Sequence, residues 1–123
     1  MRKEQRAEAD VNIEYQMTAK LAAGAMMLAH QFQLANEKYA TDYPAAIGPH
    51  MTNTDSTPFM DLVPSLSFRE NERGAQIGNG WDPHHHQPTD VFTTFNDDDF
   101  RLGLNAAQTT LGAIAELTGT RVH

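Results

Sequence analysis

The segment "NDDDFRLGLNAAQTTLGAIAELTG", residues 96–119, is the most tightly constrained part of this chain. Asn96 is a good N-cap, and Asp97, Asp98 and Asp99 fill the first turn, where negative charge meets the positive end of a helix dipole. Phe100, Leu104, Ala107, Leu111, Ile114 and Leu117 then recur at steps of three and four, which predicts an apolar stripe. Gly119 stands where a C-terminal cap belongs, so the helix spans 97–118. The three aspartates could suggest a calcium site, but as a helix start they need no ion.

A second helix is expected over 11–36. Ile13, Met17, Leu21, Ala25, Leu28, Phe32 and Ala35 fall on one stripe at the same spacing, facing the core, and the Met26–Met27 pair needs only packing. Residues 37–61 are dense in Pro, Gly, Thr, Asn and Asp and read as a long loop, of a length that is often functional. Residues 62–68, "LVPSLSF", read as a short strand with Leu66 and Phe68 on one face and Ser65 and Ser67 alternating. Pro64 confines it to an edge or to the first positions of the strand. Residues 69–95 form a second loop, with a brief strand around 75–77. Two long helices flanking so little strand are an odd inventory for a self-contained α/β domain.

With 123 residues there is one domain at most, large enough to bury about two-thirds of its unfolded surface. The net charge of −7 argues against nucleic acid and against an anionic membrane surface. The apolar run "MTAKLAAGAMMLAHQFQLA" is broken by Lys20 and His30 and is not a membrane span. The first fifteen residues carry no apolar core behind their basic residues, so no secretory signal is expected. No cysteine is present, which removes disulfides and thiolate metal sites.

The chemistry concentrates in "DPHHHQPTDVF", residues 82–92. Neutral imidazole is the commonest protein metal ligand, and its second ring nitrogen usually donates to a carboxylate that fixes its orientation. His86, with Asp90 four residues on and Pro88 stiffening the turn, offers that pairing. Neighbouring side chains of an extended chain point to opposite faces, which leaves room for one ligand and not three. A solvent-exposed loop cluster is the plainer reading of the same residues.

The order "TDSTPFMDLVPSLSFRE", then "HHHQPTDVF", then a capped amphipathic helix resembles the C-terminal third of the zinc aminopeptidases of metallopeptidase family 28. The likeness covers residues 52–118. Thr54, Asp55 and Ser56 stand at the family's Ser-Asp-His segment, followed by Pro58 and Phe59. Leu62, Val63 and Pro64 stand at its Gly-Ile-Pro segment, and residues 85–90 at its Tyr-His-Thr-Pro-x-Asp segment.

The resemblance implies the C-terminal part of a three-layer zinc-peptidase α/β fold, a single partial domain over 1–123. It implies a hydrolase that cleaves N-terminal peptide bonds with water activated by two zinc ions. His86 would be the last zinc ligand, Asp90 the carboxylate orienting it, and Asp55 a structural acid near the site. His85 falls where several members place a tyrosine that polarises the scissile carbonyl, and an imidazole N–H could donate to the oxyanion there. Ser56 in place of histidine puts substrate contact from that position in doubt, and Gln87 replaces a common threonine. Many relatives are exported, which favours a periplasmic or secreted setting.

The family's His-x-Asp pair, bridging aspartate, Glu-Glu pair and further acid have no counterpart in this sequence. At most one ligand is supplied here, whereas catalytic zinc uses about three plus water. The expected partners are therefore a peptide substrate and the missing N-terminal part of the catalytic domain, and an exposed sheet edge would encourage self-association. If that part is missing, the 11–36 stripe should lack a full covering. The alternative is a non-catalytic metal-binding or protein-interaction α/β module.

Overall fold

The computed structural model describes residues 11–49, 51, 54–69 and 84–120 of the chain. These form a mixed α/β structure: strand β1 (Val11–Glu14), helix α1 (Ala22–Tyr39), strands β2 (Ala45–Gly48) and β3 (Ser67–Arg69), and helix α2 (Asp97–Leu117), with short 3-10 turns at Thr57–Phe59 and Phe92–Thr94. The sheet order is β2-β1-β3. β1 runs parallel to β2, pairing Ile13 with Ile47, and antiparallel to β3, pairing Ile13 with Phe68. The strand expected around 75–77 lies outside the described residues.

The single helix expected over 11–36 is corrected to a strand, a seven-residue connection and a helix. The spacing of Ile13, Met17 and Leu21 imitates a helical stripe, but "VNIE" alternates with the period of a strand. All four of its residues are buried, because β1 is central and covered on both faces. Met17, 61% exposed, sits in the turn that follows. The expected loop over 37–61 contains the end of α1, the whole of β2 and one 3-10 turn. The strand placed at 62–68 shrinks to Ser67–Arg69: Val63 N–H donates to Phe59 O at 2.9 Å, so Leu62, Val63 and Pro64 lie in an exposed turn. Leu66 and Phe68 do pack on the core, as the alternation predicted.

The core is small and rich in alanine. Ile13, Ala29, Phe32, Ala35 and Ala113 form its centre, with Leu28, Tyr39, Ile47, Leu66 and Phe68 packed around them. The Phe32 and Phe68 rings meet at 5.4 Å, joining α1 to β3. Within α1, Ala25, Phe32 and Ala35 are buried and Leu28 is half-buried, so the expectation of an uncovered stripe on this helix is not met. Met26 and Met27 face outward instead of packing, because they lie off that stripe.

The uncovered stripe is on α2. This helix has the expected caps: Asn96 Oδ1 accepts from the backbone N–H groups of Asp98 and Asp99, while Asp99 Oδ2 accepts from Asn96 N–H. At the other end Gly119 adopts φ +73°, and the bonds from Gly119 N to Glu116 O and from Thr120 N to Ala115 O close a Schellman motif. The face turned inward is not the apolar one, however. Leu102, Asn105, Thr109, Gly112, Ala113 and Ala115 are buried, while Phe100, Leu104, Leu111, Ile114 and Leu117 are exposed.

Hydrogen bonds explain the orientation. Asn36 Nδ2 reaches Thr109 Oγ1, Ala40 O and Tyr43 O at 3.0–3.1 Å. Asn105 exchanges two bonds with the Tyr43 backbone, donating at 2.9 Å and accepting at 3.3 Å. At the surface, Lys38 Nζ and Tyr39 Oη both donate to Glu116 Oε1. These bonds hold the Glu116 carboxyl below its ordinary value, led by the bond from Lys38, and push Lys38 up.

Gly112 lies against Tyr39 so closely that a Cβ would drive into the ring, whereas a Cβ on Gly103 would meet nothing within 4 Å. Gly112→Ala is expected to destabilise by about 1–3 kcal/mol, and Gly103→Ala to stabilise by about 0.5–1 kcal/mol, in urea unfolding of the two variants side by side. The depressed Glu116 pKa adds stability above the usual carboxylate range, and that stability is lost as pH falls through the folded-state value. The acid-side fall in thermal midpoint should therefore be shallower in Glu116→Gln than in the wild type.

Candidate functional site

Two segments carry the chemistry. The first is Thr54-Asp55-Ser56, beyond the carboxyl ends of the parallel pair β1 and β2. Tyr15 N–H donates to Gly48 O at 2.9 Å, Met51 N–H returns a bond to Tyr15 O at 2.9 Å, and Gln16 Nε2 donates to Met51 O at 3.0 Å. That lacing delivers the chain to residue 54. There Ser56 Oγ donates to Leu66 O at 2.6 Å and lies 3.0 Å from Ser67 Oγ, and Ser67 Oγ donates to Thr54 Oγ1 at 2.9 Å. Three hydroxyls thus staple the turn to the start of β3, and Asp55 projects from it into solvent. Open α/β sheets bind ligands at this end of their parallel strands.

The second is the histidine segment leading into α2. Gln87 N–H donates to His84 O and Asp90 N–H to Gln87 O, each at 2.9 Å, folding the segment into consecutive turns. His84 is the half-buried member: its Nδ1 lies 2.7 Å from Thr89 Oγ1 and its ring meets Phe95 edge-on at 6.1 Å. Sequence reasoning passed over His84, and the hydroxyl five residues later is too weak a signal to have found it. Phe95 in turn contacts Phe100, on which Phe92 stacks at 5.1 Å.

His85 and His86 are both exposed, and their rings stack at 4.0 Å. The sequence argument placed them on opposite faces of an extended chain. The turn overrides it, because His86 adopts φ +56° and swings its ring beside that of His85. His86 is the only described residue other than glycine with positive φ. This left-handed conformation costs an L-residue about 1–2 kcal/mol.

The pairing expected between His86 and Asp90 is not formed. Both are exposed, and among the described residues no hydrogen bond or ion pair joins them. Nor does one join Asp55 to His85 or His86. Among the described residues no group of three or more His, Asp or Glu side chains could hold a metal ion. A catalytic zinc needs about three protein ligands, so these residues do not fit a complete metal centre by themselves. No helix among the described residues is long and apolar enough to cross a membrane.

No family model, curated protein or solved structure matches this chain.

The strain at residue 86 is open to direct measurement. His86→Gly removes the left-handed penalty and adds about 0.5–1 kcal/mol of unfolded-chain entropy. Its stability in urea should equal or slightly exceed that of the wild type. His86→Val should fall below it, since a β-branched residue tolerates positive φ least.

Proposed function

We propose that this chain is the C-terminal part of a zinc-dependent exopeptidase that hydrolyses N-terminal peptide bonds, with a fold of the three-layer zinc-peptidase kind and a likeness to metallopeptidase family 28. The observation that supports this reading most is the placement of the Thr54-Asp55-Ser56 turn. It is held by Ser56 and Ser67 at the carboxyl end of β1 and β2, where a bound substrate would lie. The strained backbone of His86 adds to it, since left-handed residues other than glycine concentrate at binding sites.

In this reading His86 would supply one ligand to a metal held mainly by residues outside this chain, and zinc bound there would supply an activated water as nucleophile. His85 donates its ring N–H toward the substrate carbonyl, and Asp55 adds negative charge at the rim of the site. Asp90 would have to turn toward His86 to orient it, since among the described residues no hydrogen bond or ion pair joins the two. The exposed apolar face of α2 favours a second reading, a protein-interaction module without catalysis.

The test is zinc titration of the chain 1–123 alongside turnover of an aminoacyl chromogenic substrate. The expected result is weak zinc uptake, abolished in both His86→Ala and the well-folded His86→Gly, and no turnover. Uptake indifferent to residue 86 would overturn its assignment as a ligand. Robust turnover by the isolated chain would overturn the claim that the centre is completed elsewhere.

A further inference from the structure

Two methionines and a histidine share the outer face of α1, one helical turn apart. Met26 and Met27 are 41% and 67% exposed, and His30 is exposed beside them. Between Lys20 and Glu37 the chain carries no acid, Lys or Arg, although the solvated face of a helix is ordinarily charged. Among the described residues no hydrogen bond or ion pair engages the His30 ring. His30 stands four residues after Met26 and three after Met27, spacings that put Cβ atoms roughly 5–6 Å apart on a helix. Its Cα–Cβ bond tilts back toward the turn that carries both methionines. At about 100° per residue, its direction falls between theirs. The three groups form a triangle open to solvent. Each thioether sits on three rotatable bonds, which lets both sulfurs reach an ion held on the imidazole nitrogen.

We propose that Met26, Met27 and His30 form a binding site for a soft monovalent ion, copper(I), with silver(I) as its air-stable analogue. Thioether sulfur is a soft donor that selects copper(I), and imidazole suits copper as well, whereas magnesium, calcium and manganese want oxygen. Zinc is poorly served here, since its protein ligands are thiolate, imidazole and carboxylate. All three ligands are neutral, and Glu37, the only acid on α1, lies about 10 Å beyond His30 along the axis. A monovalent ion leaves less uncompensated charge in such a site than a divalent one. Because the site is exposed, a bound ion is open to exchange, which suits taking up and passing on copper. It shares no residue with the histidine segment or the Asp55 turn, and the proposal does not depend on the zinc-peptidase reading.

Silver(I) titration of the chain 1–123, isotopically labelled at its methionine methyl groups and followed by NMR, tests it, with anaerobic copper(I) as the second probe. The Met26 and Met27 methyl signals should shift together along one saturable curve, while the exposed Met17 should not respond. His30→Gln should weaken that curve at least about tenfold, and Met26→Leu should do the same to the remaining Met27 signal. Zinc(II) should move neither signal. Helical circular dichroism should be unchanged in both variants, since both side chains are already exposed. If either variant loses helix, the wild-type response of Met26 and Met27 against Met17 decides. Signals that ignore both probes, a Met17 response equal to theirs, a curve indifferent to His30→Gln in folded protein, or an equal shift with zinc would overturn the proposal. The zinc titration at His86 has its own readout, so failure of either test leaves the other standing.

Discussion

The buried contact of Asn36 with Thr109 and Tyr43, and of Asn105 with the Tyr43 backbone, sets the rest of this structure. Asn36, Asn105 and Thr109 are each no more than 2% exposed. A buried amide left without partners costs about 1–3 kcal/mol, so these three must meet each other or the backbone. Only one rotation of α2 about its axis allows that. The rotation puts Gly112 and Ala113 against α1, which is why the interface between the helices is made of small residues, with Tyr39 filling the space over Gly112.

The same constraint turns the usual logic of amphipathicity around. Hydrophobic burial would favour Leu104, Leu111 and Ile114 inside, and each fully buried Leu or Ile is worth about 1.5–3 kcal/mol. That gain is forgone here, since all three are exposed. The polar face of α2 is satisfied internally while Leu104, Leu111 and Ile114 stay exposed. The fold is internally closed around β1 and open along α2.

Legibility from sequence followed how local each cause is. The ends of α2 were readable because capping involves residues within a few positions of each other: Asn96 with Asp99, Gly119 and Thr120 with the preceding turn. Which face of α2 is buried was not readable, because it depends on Asn36, 73 positions away in sequence from Thr109. β1 was missed for a related reason. Four residues of "VNIE" give little periodic signal, and their burial depends on pairing with β2 and β3, contributed from 31 or more positions further on. Among the candidate site residues, the stapling of Ser56 to β3 and the positive φ of His86 had no trace in the sequence.

Asp55 and the histidine segment are each fixed locally, and among the described residues no hydrogen bond or ion pair joins Asp55 to His86. The Asp55 turn is anchored to the sheet through Thr54, Ser56 and Ser67. The histidine segment is anchored to the start of α2 through His84, Thr89 and Phe95. Among the described residues no hydrogen bond or ion pair joins His86 to Asp90 and no third side chain completes a metal-holding group with them, so a metal there would need further ligands. The strain at His86 sharpens that argument: about 1–2 kcal/mol of left-handed backbone is held in a turn that glycine would form without cost. The ring itself is exposed and stacks on its neighbour His85.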